Sequence, residues 1–248
     1  MSDGDLGDLR EVVHNIARLR LNELPDYGVF RPGRDPWRNR VVTVAYERRS
    51  QRPVGFSAMV YCPLSDVDRV LPVMHLGLVV LDRRPAIHNL LLAIYYFPLA
   101  CTLLLRELAP YWITSVSMEP AIIGAVSDCF DGTYPNYRGN TRPDPMRLAI
   151  ARSMVARYGS EFGVGPDARL REDTFVIEGS CRGPSEHLRR DFRQVARYPL
   201  ASCNSFCRAA LDFERGDELI QVAGVSLRTA VNAALAPWRV RRLLRSDR

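Results

Sequence analysis

Pro-Val-Met-His-Leu-Gly-Leu-Val-Val-Leu (72–81), then Asp-Arg-Arg-Pro (82–85), then an apolar run to about Leu108, then Tyr-Trp-Ile-Thr-Ser-Val-Ser (111–117): this stretch decides the fold. The first and last segments are rich in β-branched and aromatic residues and read as strands. Between them, Pro85 to Leu105 carries no Asp, Glu, Lys or Arg. That length reaches the roughly 20 residues that cross a bilayer. Pro85, His88, Asn89, Pro98 and Thr102 interrupt it, and strands flank it. The reading is therefore a core helix packed on a sheet, with no transmembrane span. Strand, tight turn, helix and strand form a crossover unit. Its turn presents free N–H groups and the positive end of a helix dipole to an anion such as a pyrophosphate.

Working outward, Leu6–Leu24 has helical periodicity through Leu9, Val12, Val13, Ile16 and Leu19, and Pro25 ends it. Arg40–Glu47 and Val54–Cys62 read as a hairpin around Arg48–Arg52 that feeds the 72–81 strand. Downstream, helices are expected at Glu119–Phe130, Met146–Tyr158, Glu186–Tyr198 and Leu227–Leu244. Strands are expected at Thr174–Cys181 and Glu218–Ser226, and a loop at Asp131–Pro145. The layout is α/β: a mixed sheet flanked by helices, hairpins first and crossovers later.

Composition narrows the chemistry. The chain has 248 residues, 47% of them hydrophobic, enough for one sizeable core. All 34 basic residues are Arg. Without Lys there is neither a Schiff-base lysine nor a P-loop lysine. The formal charge of +6 is dispersed, apart from Arg239, Arg241, Arg242, Arg245 and Arg248. Dispersed arginines describe a solvated surface, and nucleic-acid binding is not expected. The six cysteines include no CxxC pair, and no His completes a zinc set, so no metal is expected. Met1–Gly7 lacks the basic-then-apolar pattern of a signal peptide, which makes a cytoplasmic location the expectation.

Residues 72–130 resemble the GNAT acyltransferase superfamily. Val79 falls at the end of the family's fourth strand, Arg84 on the arginine of its phosphate-loop motif, and Leu92 on a leucine of the following helix. Val54-Gly55-Phe56 resembles the preceding hairpin, and the likeness covers about residues 5–130. Ile87 and Asn89 occupy the loop's two small-residue positions, and Val126 falls where a Tyr acid often stands. The resemblance implies a GNAT-like twisted sheet in a single domain, with residues 131–248 as a C-terminal α/β extension. It implies an acetyl-CoA or other acyl-CoA donor, or an acidic acyl carrier protein, and a small-molecule amine acceptor. Leu78, Val79 and Val80 would hold the pantetheine, helped by Ser115 and Ser117. Arg83, Arg84, Ile87, His88 and Asn89 would form the phosphate turn. His75 or Glu119 would take the amine proton, and Tyr134 would replace the missing acid. Two rival expectations stand beside it: a non-catalytic GNAT-like binding module, and a membrane-surface protein anchored through Trp238 and the C-terminal arginines.

Overall fold

A computed structural model describes residues 3–19, 21, 23–64, 71–81, 90–139 and 143–229. The elements run α1 (Asp3–Arg18), β1 (Arg40–Tyr46), β2 (Pro53–Tyr61), β3 (Val73–Leu81), α2 (Leu90–Leu105), β4 (Tyr111–Ser117), α3 (Pro120–Cys129), β5 (Asp131–Tyr134), α4 (Pro145–Tyr158), β6 (Arg169–Arg171), β7 (Val176–Glu178), α5 (Ala201–Ala210) and β8 (Glu218–Val225). The strands form one open, mixed sheet of eight strands in the order β1-β2-β3-β4-β8-β7-β6, with β5 also paired to β8. Every pairing is antiparallel except β3 with β4. That one parallel pair needs a crossover, which α2 supplies.

Alternation along the strands sends side chains to two faces. Phe56, Ala58 and Val80 meet Leu6, Val13 and Ile16 of α1. On the same face Val60, Val73 and Val222 meet Ile150, Ala151 and Met154 of α4, together with Phe162. Met59, Met74, Leu76, Ile113 and Ala223 face the other way, against Leu99 and Leu103 of α2, Val126 and Cys129 of α3, and Phe130 just after it. The α5 helix extends this second layer, with Cys203 and Cys207 buried among Met118, Ile123 and Leu219. The 119–130 helix begins with Pro120 at its first turn, where a missing N–H costs nothing. Asp144 caps α4 by accepting a hydrogen bond from the Arg147 N–H at 2.9 Å.

The first three strands, the 111–117 strand and the helices flanking them fall close to where the sequence pattern puts them. Residues 186–198 do not form a helix, although Leu188, Phe192 and Val195 are spaced like one. A 3-10 turn over Gly183–Leu188 leads into irregular chain. The Ala121 N–H bonded to the Ala196 carbonyl, the Glu119 carboxylate bonded to the Ala196 N–H and a buried Tyr198 fix that path, and tertiary packing overrides the local period. The strand expected over 174–181 is three residues long, and β5 occupies what reads as a loop. No helix among the described residues is long and apolar enough to cross a membrane. The C-terminal arginines, Trp238 and the phosphate-turn residues Arg83, Arg84, Ile87, His88 and Asn89 lie outside the described residues.

Candidate functional site

The parallel pair opens like a wedge. Val73, Met74 and His75 pair with Trp112, Ile113 and Thr114, and there the ladder between β3 and β4 stops. Beyond it β3 keeps its register with β2 out to Leu81, opposite Gly55. The β4 strand keeps its register with β8 out to Ser117, opposite Leu219. Each strand thus stays anchored on its outer side while the inner sides separate toward their carboxyl ends. In an extended strand, alternate residues turn their N–H and C=O to opposite sides. The divergence therefore leaves a slot edged by backbone donors and acceptors. The α1 helix covers one face of the sheet there and α2 the other.

A bulge produces the separation. Ala58 pairs with Leu78 and Val60 with His75, so Met59 alone opposes both Leu76 and Gly77. The extra residue shifts the alternation of β3 and bends it away from β4. Gly77 has φ +54°, and a Cβ there would overlap the carbonyl oxygen of Ala58. Glycine meets both demands. The bulge also explains how His75 and Leu78, three apart, come to share a sheet face.

Leu78, Val79 and Val80 line the β3 edge of the slot. Val80 is buried under α1, while Leu78 and Val79 are half-buried. Ser115 and Ser117 stand on the opposite edge, both buried. The Ser117 hydroxyl accepts a hydrogen bond from the Glu119 N–H at 3.0 Å, which turns the chain from β4 into α3.

The three residues singled out for proton transfer do not converge. His75 is 2% exposed, shares a 3.0 Å hydrogen bond with the Thr114 hydroxyl and stacks on Phe162 with ring centroids 4.1 Å apart. Burial, followed by the charge of Arg40, pushes its pKa down to about 3. Tyr134 occupies the same cross-strand row, reached through Thr114 and Val222. Three strand spacings put the two backbones about 14 Å apart. The Tyr134 hydroxyl donates to the Asp173 carbonyl at 2.8 Å, and its ring packs edge-on to Phe175. Burial raises its pKa.

Glu119 sits two residues past β4, at the mouth of the slot. Its Oε2 accepts the Ala196 N–H, and the Ala121 N–H donates to the Ala196 carbonyl at 3.0 Å. This double tie fastens the 186–198 segment to the start of α3. Burial raises the Glu119 pKa against the opposing pull of the Ala196 N–H and the Arg190 charge.

Sequence reasoning passed over several buried polar groups. Arg40, its side chain 3% exposed, pairs with Glu161, and Gly28 leaves room for the contact. Asp128 accepts the hydroxyls of Tyr137 at 2.8 Å and Tyr198 at 2.7 Å, locking α3 to the 186–198 segment. Gln221, cross-strand from Ser115, donates through Nε2 to the Ser127 hydroxyl and the Pro135 carbonyl. Its Oε1 has no hydrogen-bond partner among the described residues. Polar residues spread over β4, β8 and α3 carry no local spacing that announces such contacts. Among the described residues no cluster of His, Cys, Asp or Glu is arranged to hold a metal ion. No family model matches this chain, and no curated protein matches it either.

Proposed function

We propose that the protein is a GNAT-like N-acyltransferase that draws its acyl group from a thioester of coenzyme A or of an acyl carrier protein. The observation that carries this reading is the end of the β3–β4 ladder at His75–Thr114. A pantetheine arm is thin, extended and carries two amides. It suits a slot edged by backbone N–H and C=O groups, where it pairs as a short extra strand does. When bound, the thioester supplies an electrophilic carbonyl carbon and a thiolate leaving group. Leu78, Val79 and Val80 would flank the arm on one edge, Ser115 and Ser117 on the other.

In this reading Glu119, at the mouth, receives the proton. Its raised pKa makes it a better base than an ordinary surface carboxylate. An ammonium acceptor gives one proton to bulk through Glu119. The amine nitrogen then bonds to the carbonyl carbon, the C–S bond breaks, and the second nitrogen proton ends on the departing sulfur. The products are an amide, a thiol and one released proton. His75 serves this scheme by structure: neutral and stacked on Phe162, it fills the end of the slot. The positive charge of the chain favours encounter with an acidic carrier protein.

Thermal unfolding with acetyl-CoA, longer acyl-CoAs, free CoA and an acylated carrier protein tests the reading. At a hundredfold excess over Kd, binding stabilises by about 2.7 kcal/mol and lifts Tm by roughly 5–11 °C. No shift with any thioester refutes it. A second reading, a binding module without turnover, is favoured by the engagement of His75 with Thr114 and of Tyr134 with Asp173. Thiol release from a bound thioester on adding amines separates the two.

A further inference from the structure

A cleft of about 510 Å³ opens between the chain after α1 and the 186–198 segment. Its described lining is Leu21, Glu23, His187, Leu188, Arg190 and Gln194. The two walls come from distant parts of the chain. Leu21 follows α1 and packs against the cluster that holds Val80 and Leu78 of β3. The other wall is the 186–198 segment, which Glu119 and Ala121 tie to the end of β4. The cleft therefore lies between the chain after α1 and the 186–198 segment, and the Arg190 charge reaches Glu119.

The chemistry of the walls is split. Leu21 and Leu188 are apolar. Glu23 brings a negative charge from one side and Arg190 a positive one from the other. Among the described residues no ion pair joins the two. Arg190 donates through Nη1 to the carbonyls of His187 at 2.7 Å and Arg189 at 3.1 Å, which holds its guanidinium on its own wall. His187 Nε2 is buried with no hydrogen-bond partner among the described residues. The volume lies in the range of small-molecule sites.

We infer that this cleft binds a small zwitterion, a free α-amino acid or short peptide, with its carboxylate on Arg190 and its ammonium toward Glu23. An arginine fork suits a carboxylate, and an opposed acid rejects simple dianions. The inference goes beyond the acyltransferase reading: with its ammonium toward Glu23 and its carboxylate on the Arg190 side, the zwitterion is held as a ligand in its own right and not in the pose that Glu119 would deprotonate. The binding event itself needs no thioester.

Isothermal titration of the full chain tests it, with L-amino acids, the matched amines lacking a carboxylate, and the matched N-acetyl derivatives. At least one amino acid should bind, and its two analogues should bind about tenfold or more weakly, the share of one charge-assisted contact. Arg190→Ala and the exposed-site Glu23→Gln should weaken the amino acid similarly while leaving the thermal shift by acetyl-CoA intact. Glu23→Gln carries the test even if Arg190→Ala disturbs its loop. The inference is overturned if no amino acid binds, if the bare amine binds equally well, or if both variants bind like the parent. Amino-acid binding without any thioester binding would sink the acyltransferase reading and leave the zwitterion site standing.

Discussion

Replacing Glu218 with Gln should change the shape of the stability–pH curve. Glu218 opens β8, is 9% exposed, and accepts the Ser180 hydroxyl at 2.6 Å. Burial pushes its pKa from 4.5 up to about 7. Between those values the folded state binds more protons than the unfolded one, so this group adds stability as pH falls from 7 to 4.5. At about 1.4 kcal/mol per pH unit the gain is roughly 3 kcal/mol. His75 acts in the opposite sense. Its folded pKa of about 3 lies below the unfolded 6.5, so the unfolded state binds the extra proton and stability falls as pH drops below 6.5. From pH 6.5 to 4.5 that loss is roughly 3 kcal/mol. The two slopes nearly cancel, and the parent should be flat across this window, then weaken below it. Glu218→Gln removes the gain and keeps the loss. Urea unfolding at a series of pH values, read at constant m-value, should show the variant matching or exceeding the parent near pH 7.5 and losing about 3 kcal/mol by pH 4.5. Parallel curves for the two proteins between pH 6.5 and 4.5 would refute the reasoning, because every other carboxylate is common to both.

Two glycines give further tests. Gly77→Ala places a Cβ against the Ala58 carbonyl at positive φ and should cost about 2–5 kcal/mol in chemical denaturation, with loss of thioester binding in whatever fraction still folds. Gly124→Ala, on α3, drives a Cβ into the Tyr198 ring. It should cost about 1–3 kcal/mol and loosen the 186–198 segment, seen as faster amide exchange at Ala196 and Tyr198.

The sheet was legible wherever burial on one or both faces imposes a strict pattern. Val41, Val42 and Val44, the 53–61 run and the 111–117 run announce strands because their side chains must alternate between two helix layers. The 186–198 segment was misread because Leu188, Phe192 and Val195 satisfy a helical period while the ties at Glu119, Ala121 and Asp128 dictate another path. Gly77 stood in plain view, but a lone glycine in a strand does not say that it is bulged, nor that the bulge parts β3 from β4. The position of Glu119 just past β4 followed from the end of the 111–117 strand. The burial of His75 against Phe162, nearly ninety residues away, had no signal in local spacing.

Amide hydrogen exchange with and without acetyl-CoA tests the slot between β3 and β4 most directly. The account predicts slowed exchange in two stretches, Leu78–Val80 and Ser115–Ser117, whose facing edges the bound arm would cover. Unchanged exchange in both stretches, under conditions where the thioester demonstrably binds, would contradict it.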